Sequence, residues 1–281
     1  MTAIGLGLLT AAFFATTAVI QSRTVKHISP WSTVGWLTFL GTILVLPLTF
    51  SAGVPQEVTA NWGWLLLAGI GNTGGLLLVA VAYRFGKVGV IAPILSTCGA
   101  IAAVIAAVLG EPITVVIGIL LLVIAGGVVL TATAPDPMPI EHERPVLAAV
   151  LAICAALIMA LGLYAFSHAS GDVPLGWALL PARLIGAVAV FLPLLITRKL
   201  QITKLTFLFV VIMAFTEAVG YTLFSMAAAD SAAIASVMSS MFAPIAAIAA
   251  YLLFKERLGR MQLAGVVVIV AGVVALAVAR A

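Results

Sequence analysis

The sequence predicts an all-α membrane protein of ten transmembrane helices, arranged as two inverted five-helix repeats. Three observations predict this: the composition, the spacing of apolar stretches and the placement of basic residues. Of 281 residues, 64% are hydrophobic and 8% charged; soluble domains carry roughly 45–50% and about 25%. So few charges cannot cover a water-facing surface. The outer surface therefore faces lipid, and the mean hydropathy of +1.31 agrees.

A helix needs about 20 apolar residues to cross the hydrocarbon core. Ten stretches satisfy this: 2–20, 31–50, 62–83, 88–109, 113–133, 145–166, 174–197, 205–227, 231–254 and 259–279. No basic segment precedes the first and no small-residue cleavage site follows it, so it reads as a retained helix and not a removed signal peptide. Most connections are short, which makes consecutive helices antiparallel neighbours. The longest polar break is residues 135–144, with Pro135, Pro137 and Pro139 followed by Glu141, His142, Glu143 and Arg144. It divides the chain into a first repeat at 1–134, a linker at 135–144 and a second repeat at 145–281.

Five helices per half means that the halves enter the membrane from opposite sides, so equivalent loops should carry opposite charge. They do. Arg23 and Lys26 follow the first span, whereas the loop after the sixth has no Lys or Arg. The loop after the second span has none, and its counterpart carries Arg198, Lys199 and Lys204. Arg84 and Lys87 follow the third span with no basic counterpart, while Lys255, Arg257 and Arg260 follow the ninth. By the positive-inside rule this side is cytoplasmic and both termini lie outside.

The net charge of +4 comes from single basic residues in short connections, which is no nucleic-acid footprint. Cys98 and Cys154 both lie in apolar stretches, a poor setting for a structural disulfide. No P-loop, metal-ligand cluster or nucleophile motif is present. The sequence predicts no enzyme, no metal and no cofactor.

The second half closes on Ser240-Met241-Phe242-Ala243-Pro244, then Lys255-Glu256-Arg257-Leu258, then Gly265 and Gly272. The first half offers Ala92-Pro93-Ile94, Gly110-Glu111-Pro112, then Gly118, Gly126 and Gly127. Glu111 and Glu256 stand 145 positions apart, at the same place in each half. Gly99 stands where the second half has Pro244, and Pro112 follows Glu111 where Arg257 follows Glu256. This pattern resembles the EamA-type transporters of the drug/metabolite transporter superfamily. The resemblance implies a secondary transporter of small metabolites with a central cavity between the repeats. It also implies cytoplasmic termini, against the charge count.

An ionisable residue in mid-membrane is expensive and marks a site by default. Glu217 is the clearest case, and the 145-residue offset maps it onto Asn72. Inverted-repeat transporters bind substrate near the midplane between repeats. Tyr221 shares the Glu217 helix face, four residues on. Arg183 is placed to pair with Glu217, to meet a substrate carboxylate or to snorkel. Ser96, Thr97, Ser236 and Ser240 offer hydroxyls, which serve helix packing as readily as substrate. Pro93 and Pro244 interrupt their helices and are candidate hinges. His168 and Asp172 read as solvated loop residues, and Glu111 and Glu256 as caps of the next helix N-terminus.

An acid, an amide and an Arg in an apolar cavity suit an amino acid or another small amphoteric or cationic metabolite, moved by alternating access and most simply exported. The expected partners are that small-molecule substrate, the lipid bilayer of a bacterial inner (cytoplasmic) membrane and protons, for a monomer or homodimer. The alternative is a flippase for a lipid-linked substrate, or a membrane-embedded scaffold.

Overall fold

The computed structural model describes residues 2–51, 58, 60–109, 115–133, 144–169, 173–256 and 258–279. Most of the linker, Glu111, Asp172 and Arg257 lie outside these residues. The first half comprises α1 (Thr2–His27), α2 (Pro30–Ser51), α3 (Trp62–Phe85), α4 (Val88–Ser96), α5 (Cys98–Val108) and α6 (Val115–Thr133). In the second half are α7 (Pro145–Ala169), α8 (Leu175–Gly186), α9 (Leu192–Ile196), α10 (Lys204–Ser240), α11 (Phe242–Phe254) and α12 (Arg260–Ala279). A π-helical turn, Ala187–Phe191, joins α8 to α9. No strand occurs among the described residues. Among the described residues, six helical spans are long and apolar enough to cross a membrane, and three shorter apolar helices accompany them.

The single span expected at 88–109 is two helices, broken at Thr97. The second half breaks at Met241, between α10 and α11. The two breaks share a backbone conformation, φ −75° and ψ −8° at Thr97, φ −64° and ψ −5° at Met241. Their causes differ. At Thr97 the Ser96 and Thr97 hydroxyls donate to the Pro93 and Ile94 carbonyls, at 2.7 Å each, and compete with the helical ladder. At Met241 the missing N–H of Pro244 removes the donor that would reach Ser240.

The break expected near 228–230 is absent: the helical ladder of α10 runs on to Ser240. Ala227-Ala228-Ala229-Asp230-Ser231-Ala232-Ala233 contains neither Gly nor Pro, so nothing there stops a helix. The path bends nevertheless. Gly7 lies against Ala235 and Met238, and Gly220 lies against Phe14. Those α1 positions are about 10 Å apart, whereas a straight α10 would hold their partners more than about 20 Å apart.

Helices from the two halves pack pairwise and antiparallel. Along α2 and α8–α9, Gly35 meets Phe191, Gly41 meets Arg183 and Gly176 meets Leu48 and Thr49. Along α6 and α12, Gly127 meets Ile269 and Gly272 meets Ile124. These contacts are reciprocal under the 145-residue offset. Gly127 with Ile269 exchanges into Gly272 with Ile124, and Gly41 with Arg183 into Gly186 with Thr38. The α3–α7 contact of Gly71 with Gly162 exchanges into the 2.7 Å hydroxyl contact of Thr216 with Thr17. Gly75 against Met159 exchanges into Gly220 against Phe14. Equivalent helices of the two halves therefore contact one another with opposite directions.

All ends rich in charge gather on one side. The Ser29 N–H donates to Gln201 Oε1 at 2.8 Å, and the Arg144 N–H donates to the Phe85 carbonyl at 2.9 Å. The Arg23 guanidinium lies 3.5 Å over the Phe254 ring. These contacts tie the ends of α1, α3, α9 and α11 to the starts of α2, α7 and α10. Among the described residues, every Lys and Arg except Arg183 is at this end. At the opposite end Trp64, Tyr164 and His168 stack, with ring centroids of Trp64 and His168 4.9 Å apart. His168 sits in the last turn of α7, not in a loop, with its Nδ1 3.0 Å from the Tyr164 carbonyl oxygen.

Candidate functional site

The two intramembrane charges meet. Arg183 Nη1 on α8 lies 2.9 Å from Glu217 Oε2 on α10, and both side chains are almost fully buried, at 4% and 8% exposure. At that separation the two groups form a close buried ion pair. Glu217 stands thirteen residues into α10, about 20 Å from its basic end, which is near the middle of a membrane. Space for the Arg183 side chain comes from α2: a Cβ on Gly41 would lie 3.0 Å from Arg183 Cδ.

Tyr221 extends the site by one turn. Its ring centroid is 5.6 Å from Arg183 Cζ, within cation–π range. Phe14 of α1 packs edge-on against it at 5.2 Å, in space left by Gly220. Thr216 on α10 reaches Thr17 on α1, and Thr73 on α3 donates to the Ala182 carbonyl on α8 at 3.1 Å. Elements of both halves thus surround the pair, α1, α2 and α3 from the first, α8 and α10 from the second. The π-turn begins four residues after Arg183, at Ala187, and Phe191 in it stacks on Phe39 at 4.2 Å. A π-turn is a frequent feature of functional helices.

The other predicted positions are spread more widely. Asn72 is half-buried on α3, its backbone against Gly162 of α7. No hydrogen bond or ion pair joins it to Glu217 among the described residues. Ser96 and Thr97 are buried, each bonded to its own helix. The backbones of Ser236 and Ser240 lie in the last turns of α10, and their side chains fall outside the described set. Pro93 lies inside α4, four residues before one break, and Pro244 three residues after the other.

Sequence reasoning missed Gly41, Phe14 and the Thr17–Thr216 contact. The repeat offset maps Arg183 onto Thr38 and Glu217 onto Asn72, so the first-half counterparts of the ion pair are neutral polar residues. Thr38 is fully buried, its hydroxyl returned to the Val34 carbonyl. A groove of about 240 Å³ opens on the lipid side, lined by Leu44, Phe215, Ala218, Val219, Thr222 and Leu223. No cluster of three metal-ligating side chains occurs among the described residues.

The sequence model of the EamA-like transporter family matches residues 1–133 and again 146–278. The chain belongs to the EamA-like transporter family. Two matches to one family model make the halves repeats of each other, and this EamA-like chain is an integral membrane transporter. No curated protein matches the chain. A solved structure described only as the crystal structure of a protein is 16% identical, with a TM-score of 0.66 over 99% of this chain and 97% of its own. At that identity the likeness concerns the fold alone.

Proposed function

We propose that this EamA-like protein is a secondary transporter that exports a small amphoteric or cationic metabolite, such as an amino acid, by alternating access of two inverted five-helix repeats. The ten spans of this reading are the nine apolar helical segments above, with the broken pair α4 and α5 together supplying the fourth crossing. The antiparallel pairing of equivalent helices supports the inversion. The proposal includes a bacterial inner membrane with the basic end inside and both termini outside.

The observation that carries the reading is the Arg183–Glu217 pair. Its two charges lie at mid-depth, between elements of both repeats, with the Tyr221 ring beside them. Each partner of the ion pair can be exchanged: a substrate carboxylate can take Arg183, and a substrate ammonium or a proton can take Glu217. Tyr221 gives an aromatic face to the cation. Asn72, Ser96, Thr97, Ser236 and Ser240 would complete the lining as the repeats separate, with the breaks near Pro93 and Pro244 as hinges. Protons are the coupling ion this chemistry suits, and a monomer holds the complete site.

The lipid-side groove favours the second reading, a flippase for a lipid-linked substrate. Its α10 residues, however, lie on the helix face opposite Glu217 at 100° per residue. The groove does not reach the charges, which makes this reading the weaker one.

The test is transport by purified protein in liposomes, after a thermal-shift screen has selected a metabolite class. Glu217→Gln keeps the shape and removes the charge. Loss of pH-dependent transport with a retained fold supports the proposal; normal transport across pH by Glu217→Gln overturns it.

A further inference from the structure

The turn after α11 holds a contact that the substrate site does not use. Lys255 adopts φ 55° and ψ 28°, a left-handed conformation that closes α11 and redirects the chain. Non-glycine residues rarely accept that region unless the surroundings fix it. The redirected Glu256 is buried, and its Oε2 accepts the Val88 N–H at 3.1 Å. Val88 is the first residue of α4, in the other repeat, and its N-cap Lys87 supplies no side-chain cap. Glu256 therefore caps the opposite repeat's interrupted helix in trans, with its charge at the positive end of the helix dipole.

The surroundings of Glu256 come from the first repeat. Arg23 and Lys26 face it from α1, Lys87 from the turn before α4, and Tyr83 from the end of α3. Leu258, two residues on, fills the space over Gly89. Arg144 at the start of α7 sits over Phe85, 6.0 Å away, and Lys255 and Arg260 point outward.

We propose that the Glu256 carboxyl is a clasp that holds the two repeats closed at the basic end, and that its release opens that end of the transporter. The inference rests on alternating access as read above. The clasp spans the two helices that break within the membrane, α4 directly and α11 through its C-terminus, so releasing it frees both at their basic ends. Closure is coupled to protons. Burial pushes the Glu256 carboxyl up from its ordinary range, against the pull of Lys26, the Val88 N–H, Arg23 and Lys87. A carboxyl with a higher pKa when clasped than when solvated takes up a proton on closing. The clasp is therefore tighter on the acidic side of that window and loosens as pH rises through it, while a carboxyl oxygen accepts from Val88 in either state.

The test is cysteine labelling by a membrane-impermeant maleimide in inside-out and right-side-out vesicles, without substrate. The background is Cys98→Ala with Cys154→Ala, and the reporters are Val90→Cys at the basic end and Val173→Cys at the other, both buried here. Glu256→Ala is expected to raise labelling at 90 by about tenfold or more, the shift from losing one hydrogen bond to a carboxylate, and to lower it at 173. Glu256→Gln keeps an acceptor without a charge, and is expected to stay closed and to lose the pH response. Val88→Pro removes the donor instead. Proline is accepted at the first helical position, and Lys87 has the extended ψ of 145° that proline requires before it; it should behave as Glu256→Ala does. Unchanged labelling, or both reporters rising together, would overturn the clasp and leave Glu256 as a helix cap. Because no substrate is used, that result leaves the Glu217 transport test untouched.

Discussion

Gly71 of α3 packs on Gly162 of α7 so closely that a Cβ on Gly71 would lie 2.7 Å from the Gly162 Cα. Lipid gives no hydrophobic drive between helices, so close backbone approach and dispersion hold such pairs together. Gly71→Val would force these helices apart. The expected loss is about 1–3 kcal/mol, the range for overpacking a close-packed site, measured by thermal denaturation in detergent. An unchanged melting temperature would show that α3 and α7 separate freely.

The Arg183–Glu217 pair separates stability from transport. Removing one partner of a buried pair leaves an uncompensated charge and costs about 3–5 kcal/mol, whereas replacing both by apolar residues is often neutral. Arg183→Met alone should therefore destabilise strongly, and Arg183→Met with Glu217→Leu should recover most of the melting temperature. Transport should stay lost in the double variant. Recovery of both would reduce the pair to a packing device.

Glu256 predicts a pH slope in stability. Its carboxyl is raised in the folded protein above the ordinary value of 4.5, chiefly by burial. The native state then binds more protons than the unfolded state between those two values. Its contribution is full below the unfolded value and is lost as pH rises through the folded one. The difference in melting temperature between the parent and Glu256→Gln, followed upward from acid pH, should widen across that window in favour of Gln. A difference that stays flat removes Glu256 from the pH response.

Orientation follows from the basic end. With Arg23, Lys26, Arg84, Lys87, Arg198, Lys199 and Lys204 all there, a reporter fused after Ala281 should be active outside the cytoplasm. Activity of a cytoplasmic reporter at that position would reverse the assignment.

The apolar helical character and the two repeats were legible because lipid dictates them, whereas the span expected at 88–109 is two helices and the break expected near 228–230 is absent. Arg183 and Glu217 were legible singly as charges out of place, and Tyr221 by its spacing. Their meeting with Gly41 and Phe14 depends on which helices become neighbours, and helix periodicity does not encode that. The same limit explains Glu256. A carboxylate in a turn reads as the cap of the helix that follows, yet it caps Val88, 168 positions away in sequence. The following helix is served by Gln262, whose Oε1 accepts the Gly259 N–H at 2.9 Å. The continuity of α10 escaped because spans were cut by apolar length, about 20 residues each, and its helical ladder does not end where a crossing does.

The exchange of Gly127 with Ile269 for Gly272 with Ile124 bears on how such a chain can be assembled from parts. A contact that maps onto itself when its two sides are swapped is isologous, the kind that joins two copies of one subunit. Each half thus carries a face shaped for a reversed copy of its own kind, and a half-length chain inserted in both orientations would find its mate in itself. The basic residues of the first half forbid this by allowing one orientation only. Expressed alone, that half should remain unpaired, and supplying the second half as a separate polypeptide should complete it.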